Sequence, residues 1–360
     1  MTLRNWDDYN IATPRSQPVP NQPVSNQPVS ALPLDISHEL RTPLTAIQAA
    51  LELLNSGKLG LLNGQGQRML TIAQSNVDRL MRLTAALEHN RVAPSSLISA
   101  EELAILRLET DLHHAVPRQE LCLHYQPLVS LVTGKITGFE ALVRWQHPSQ
   151  GMVAPDRFIP LAEANGLIIE LGAWVLQEAC RQFRQWQLHF AEQVEGLSVS
   201  VNLSSRQLAA PTLVSQIDTV LQTTKLPAKN LKLEITESAI MENAEAAELV
   251  LGEIRALGVQ LYIDDFGTGY SSLSRLLELP LDVLKIDRSF VKQLCSERGE
   301  FLVRAIANLA QNLGADVIAE GVETQEQVEK LQALGCQRGQ GYFFAKPLPA
   351  KEVEVLFQTC

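Results

Sequence analysis

The segment 259-VQLYIDD-265 has the two-residue period of a strand: Val259, Leu261 and Ile263 share one face and Asp264 the other. The same split recurs on both sides of it. In 197-LSVSVNLS-204, Val199, Val201 and Leu203 oppose Asn202, Ser198 and Ser200; in 231-LKLEIT-236, Leu231, Leu233 and Ile235 oppose Glu234. Lys285 and Asp287 lie on one face of 281-LDVLKID-287, and Glu320 ends 315-ADVIAE-320 opposite Val317 and Ala319. Each strand thus offers an apolar face to a covering helix and a polar group, at its carboxyl end, to a shared interior.

Amphipathic stretches separate the strands, such as Ala246 to Leu257 and Phe301 to Leu313. Gly258, Gly314 and Gly335 each follow a leucine where a helix C-terminus favours a left-handed residue. Strands alternating with helices over roughly 250 residues imply an α/β protein with a parallel sheet. Periodicity also admits an open doubly wound sheet. A polar residue ending nearly every strand favours a closed, TIM-like (β/α)8 barrel, whose active site lies at the carboxyl ends of its strands.

Carboxylates converge in such a barrel. Glu140, Glu234, Asp264, Asp265, Asp287 and Glu320 would repel one another in one cleft unless divalent cations held them together. Oxygen donors without His or Cys point to Mg2+ or Mn2+ rather than zinc. Two such ions about 3.5–4 Å apart can generate a nucleophile from water and clamp the charge that develops on a phosphodiester.

From about Ala100 onward the chain resembles the EAL domain, the bacterial phosphodiesterase that hydrolyses cyclic di-GMP. The resemblance is carried by 125-YQPLV-129, 139-FEALVRW-145, Asn202, 231-LKLEITES-238, 264-DDFGTGYSS-272, 285-KIDRSF-290, 320-EGVET-324 and 340-QGYFFAKPLP-349, in that order. It implies that Glu140, Asn202, Glu234 and Asp264 hold one ion, and that Asp264, Asp265 and Glu320 serve a second. Lys285 would orient the attacking water and Asp287 would steady it, with Glu323 as a further acid of the site. Gln126, Leu142, Arg144 and Gln340 match substrate-contacting positions; Arg144 offers a guanidinium fork suited to phosphate. Glu237 matches the glutamate that anchors the 264–272 loop, which the family uses at its dimer contact. The segment DDFGTG also imitates the D-x-G-x-G box of histidine kinases, but it ends a strand at EAL spacing from Lys285 and follows no kinase asparagine box.

A second resemblance lies upstream. The segment 35-DISHELRTPLTAI-47 resembles the phosphoacceptor box of sensor histidine kinases, with His38 as the phosphoacceptor, Glu39 and Thr42 assisting, and Pro43 bending the helix. Ile36, Leu40, Leu44, Ile47, Leu51 and Leu54 recur at helical spacing. After a break at Gly57 to Gly66, Met69, Ile72, Ala73, Leu80, Thr84 and Leu87 do the same. Two such helices are too thin to bury their stripe alone, whereas a four-helix bundle in a homodimer would cover it. No kinase ATP-binding domain follows, so phosphorylation of His38 requires a separate histidine kinase, or the hairpin serves only to dimerise.

The expected organisation is a disordered tail over 1–33, where Gln-Pro-Val repeats at 17, 22 and 27, a helical hairpin over 34–90, a linker over 91–98 and the barrel over 99–360. A capping box at Ser99 and Glu102 would start the barrel's first helix. The five cysteines lack metal or redox spacing, and no apolar run is long enough to span a membrane, so a cytoplasmic protein without membrane association is expected. Residues 1 to 99 hold eight basic against seven acidic residues, and the remainder 22 against 33. A polymer-binding nuclease needs a basic track; an acidic barrel suits a small anion drawn in by cations. The reading is an active cyclic di-GMP phosphodiesterase producing pGpG. The alternatives are a non-catalytic cyclic di-GMP receptor and a phosphorelay adaptor, working with a kinase or response regulator through His38.

Overall fold

The computed structural model describes residues 43–51, 54, 73, 77, 80, 100–268 and 279–358. The expectations for the tail, His38, the 91–98 linker, the Ser99 cap and the 269–272 part of the loop lie outside them. Two compact units meet at Thr110 and Asp111, so the division falls inside the helix Ala100–Ala115. In the first unit residues 43–51 are helical, with Leu44 buried and Ile47 and Leu54 exposed.

The second unit is built on β1 (Leu121–Ser130), β2 (Ile136–His147), β3 (Gly151–Val153), β4 (Ser198–Leu203), β5 (Leu231–Thr236), β6 (Gln260–Phe266), β7 (Val283–Ile286), β8 (Asp316–Ala319), β9 (Arg338–Gly339) and β10 (Leu348–Pro349). Strands β2 and β4 to β9 pair in parallel succession, and β1 closes the ring by pairing with both β9 and β2. The result is the expected closed barrel with one departure from an all-parallel sheet: β1 runs antiparallel to both neighbours. Only residues 131–135 join β1 to β2. A parallel crossover needs a dozen residues or more, so this connection can make only a hairpin.

Strand parity divides the barrel into layers. Outward residues such as Val199, Val201, Leu233, Ile235, Leu261, Ile263, Leu284 and Ile286 pack in a continuous core with the surrounding helices. These include Leu213–Thr224, Ala244–Ala256 and Glu297–Leu313, which begin two to four residues earlier than the periodicity indicated for the last two. Gly258, Gly314 and Gly335 adopt φ of +92°, +70° and +88°, as expected of residues that stop a helix. Against β1 and β2, Trp186 of the helix Ile168–His189 gathers Tyr125, Phe139, Phe183 and Phe357.

Inside the barrel the order is different. Leu128, Tyr262, Val283 and Ile318 form a small separate apolar cluster. Each lies two residues from a polar group of the cleft, Gln126, Asp264 and Lys285 on the same strand and Glu320 immediately after β8. Arg338 stands at the far side, donating to Tyr262 Oη (3.3 Å) and Asp316 (2.8 Å). The interior is a packed plug under a polar floor.

Candidate active site

The floor is organised around Lys285, whose side chain is wholly buried. Its ammonium lies 2.5 Å from Glu234, 2.6 Å from Glu320, 3.1 Å from Asp264 and 3.7 Å from Glu140. Burial alone would lower its pKa, but the acids around it hold it well above the ordinary lysine range. Burial and the neighbouring Glu140 push Glu234 well above the carboxylate range, and burial pushes Glu320 up to about 8. One cation shared among four acids leaves negative charge uncompensated, which is the electrostatic condition for further cations.

Each ligand expected from sequence has a definite place. Asn202 Nδ2 donates to Glu140 Oε1 at 2.7 Å. Gln340 Nε2 donates to Glu140 Oε2 (2.6 Å) and to Gln126 Oε1 (2.9 Å), while Gln126 donates to the carbonyl of Ala345 (3.1 Å). Gln126 faces Glu140 directly in the β1–β2 register. Asp264, Asp265 and Glu320 each offer an oxygen within 4.8 Å of the others.

Two adjacent aspartates on a regular strand would face opposite ways. They converge because the β6–β7 register shifts between Ile263 and Phe266 and Asp265 takes φ of +54°, inside the strand rather than in a turn after it. This local bulge re-aims the side chain. Burial, then Asp264 and Asp287, raise the Asp265 pKa. Next along the chain, Gly267 N donates to Glu237 Oε2 at 2.9 Å, and Glu237 is buried. Among the described residues, buried Glu234 Oε1 and Gln340 Oε1 have no hydrogen-bond partner. An unpartnered buried carboxylate oxygen facing an acid cluster fits a divalent cation site.

The structure brings some expected residues to the cavity and turns others elsewhere. Gln126, Glu140, Leu142, Glu320, Glu323 and Gln340 line it. Arg144 does not: its Nη1 donates to the carbonyl of Val143 (2.8 Å). Asp287 Oδ1 accepts from Ser289 N (3.0 Å) and so caps the short helix Arg288–Lys292. Arg288, Lys292 and Tyr342 also line the cavity. Sequence reading passed over them, although two basic residues at i and i+4 directly after KID were visible there.

Among the described residues no helix is long and apolar enough to cross a membrane, and Cys122, Cys180, Cys295 and Cys336 are free thiols.

Comparison with known proteins places this geometry. "Cyclic di-GMP phosphodiesterase NbdA" of Pseudomonas aeruginosa is 47% identical over 250 residues, covering 69% of this chain and 32% of that protein. "Cyclic di-GMP phosphodiesterase PdeR" of Escherichia coli is 42% identical over 250 residues, covering 69% and 37%. The chain thus spans about a third of the length of these curated relatives. The solved "PaMucR Phosphodiesterase, c-di-GMP complex" is 44% identical with a TM-score of 0.66, covering 69% of this chain and 99% of that one. Residues 34–89 match the His Kinase A (phospho-acceptor) domain, which includes the position of His38. Residues 109–347 match the EAL domain model, and with most of its length so matched the chain belongs to the EAL domain family.

Proposed function

We propose that the barrel is a divalent-metal-dependent phosphodiesterase that opens cyclic di-GMP to linear 5'-pGpG. The observation that carries this reading is the Lys285 cluster: one buried ammonium among four carboxylates, with Glu234 Oε1 buried and unpartnered beside it. Glu140, Asn202, Glu234 and Asp264 would hold one Mg2+ or Mn2+ ion, and Asp264, Asp265 and Glu320 a second. Bound there, the ions would lower the pKa of water and neutralise charge on the phosphate.

The chain's own groups have separable tasks. The oxygen of water attacks phosphorus, the bond from phosphorus to the 3' oxygen breaks, and the product carries a 5' phosphate and a 3' hydroxyl. Lys285 would orient the water, Asp287 would steady the site through its cap on the next helix, and Glu323 would add an acid at the cavity wall. Gln126, Leu142 and Gln340 would position substrate; Arg144 would do so only after releasing the Val143 carbonyl. Glu237 would hold the turn at Gly267, fixing Asp265 from behind.

The His Kinase A match supports a homodimer paired through the N-terminal hairpin, with His38 open to a separate kinase or response regulator. The decisive experiment incubates the full chain with cyclic di-GMP and Mg2+ or Mn2+ and follows pGpG. Formation of pGpG that ceases with EDTA is expected. Tight binding without product would favour the receptor reading.

A further inference from the structure

We propose that Arg288 and Lys292 form an anion subsite that holds the second, non-reacting phosphodiester of a cyclic dinucleotide. This rests on the phosphodiesterase reading and goes beyond it, because it assigns the part of the site that would separate such a substrate from a simple diester.

The two residues stand at i and i+4 on the short helix that leaves β7 immediately after Lys285 and Asp287, so they share a face. Both are exposed, and both line the cavity that Glu140, Gln126 and Leu142 bound from β1 and β2. Their commitments differ from those of Lys285. That ammonium is spent on four carboxylates, whereas Arg288 and Lys292 make no ion pair among the described residues. The position of Arg288 is built in from below: a Cβ on Gly321 would lie 2.5 Å from Arg288 Cβ, and Gly321 itself has φ of +65°. Only glycine lets the backbone beyond Glu320 pass this closely under the arginine.

Charge gives the pair a purpose. Glu320 and Glu323 line the same cavity, and an acidic wall repels phosphate. Cations bound at the carboxylate floor can answer for one phosphodiester. A cyclic dinucleotide brings two, set apart by the ring, and the second needs its own positive partner. A guanidinium beside an ammonium supplies a planar fork and a point charge for it.

The test compares the full chain with Arg288→Ala, Lys292→Ala, the double variant and Arg288→Lys. Kinetics are measured on cyclic di-GMP and on bis(p-nitrophenyl) phosphate, which carries a single phosphodiester. Affinity for cyclic di-GMP is measured by calorimetry with Ca2+, chosen to permit binding with little turnover. The double variant is expected to raise KM for cyclic di-GMP about tenfold while kcat stays within about twofold, lowering its preference over the simple diester by about tenfold. The calorimetric Kd should rise in parallel, and Arg288→Lys should recover part of the loss. Unchanged KM and Kd in the double variant would overturn the subsite, as would an equal fall on both substrates. Wild-type protein that binds cyclic di-GMP but forms no pGpG would overturn the hydrolase reading alone, since the calorimetric arm still tests the two cations.

Discussion

At the residue scale the site is a problem in charge. Glu140 accepts from Asn202 and Gln340 and neighbours Lys285, so it sits at the joint between the cation floor and the substrate wall. Glu140→Ala is expected to reduce pGpG formation by at least a hundredfold while circular dichroism and melting remain close to wild type, because it removes a ligand group and no core contact. The acids also predict a proton count. Glu320, pushed up to about 8 in the metal-free barrel, is protonated at pH 7, and Glu234 is raised with it. Metal binding at Glu320 must expel that proton. Calorimetric titration of Mn2+ at pH 7 in buffers of different ionisation enthalpy should therefore show net proton release that shrinks towards pH 9; buffer-independent heats would contradict it. Glu234, Asp264 and Glu320 were legible in the sequence because strand parity aligned them, and Glu140 because of the resemblance carried by 139-FEALVRW-145. Arg144 was not, because the same parity says which face a side chain takes but not whether a neighbouring carbonyl captures it.

Elements decide which residues meet. The expectation of alternating strands and helices reproduced the ring from β2 to β9, since each strand has an apolar outer face and each helix a matching stripe. It missed the reversal of β1, which depends on the length of the 131–135 connection and not on periodicity. Periodicity also sets the adjacent Asp264 and Asp265 on opposite faces, where the structure has a bulge within β6 that brings them together. That bulge is held from outside by Glu237, through its bond from Gly267 N. Glu237→Ala removes this acceptor from the exposed N–H of Gly267 and empties the buried space that the carboxylate fills. The expected outcome is a fall in kcat larger than any change in KM, together with weaker Mn2+ binding. Wild-type metal affinity in this variant would separate Glu237 from Asp265. A strand bulge leaves almost no mark on hydrophobic pattern, because it changes backbone angles at one residue and spares its neighbours.

For the molecule as a whole, the open matter is how a phosphoacceptor-like hairpin and an EAL barrel act together. If the hairpin dimerises the chain, deleting residues 1–98 should weaken dimerisation in light scattering and change the rate of pGpG formation, although every catalytic group remains. His38→Ala should preserve both in isolation and matter only when a partner kinase is supplied. An equally dimeric, equally active truncation would reduce the hairpin to a tether. The apolar layer of Leu128, Tyr262, Val283 and Ile318 has a different consequence. It stands between two groups of titrating side chains on its two sides. Above it, Glu320 binds its proton more tightly in the folded than in the unfolded chain, so its contribution to metal-free stability is complete below about 4.5 and disappears as pH rises to about 8. On the far side, Lys232 is hydrogen-bonded to Lys229 O and Gln260, and burial lowers its pKa to about 8 from an ordinary 10.5. Below about 8 the ammonium stays charged in the folded chain and its burial costs stability; that cost fades as pH climbs from about 8 to 10.5, the range in which folding releases the proton. An alkaline limb in a melting curve would thus report Lys232 at the base of the barrel, and one in a rate profile the acids at its mouth. Lys232→Met should flatten the first and leave the second in place.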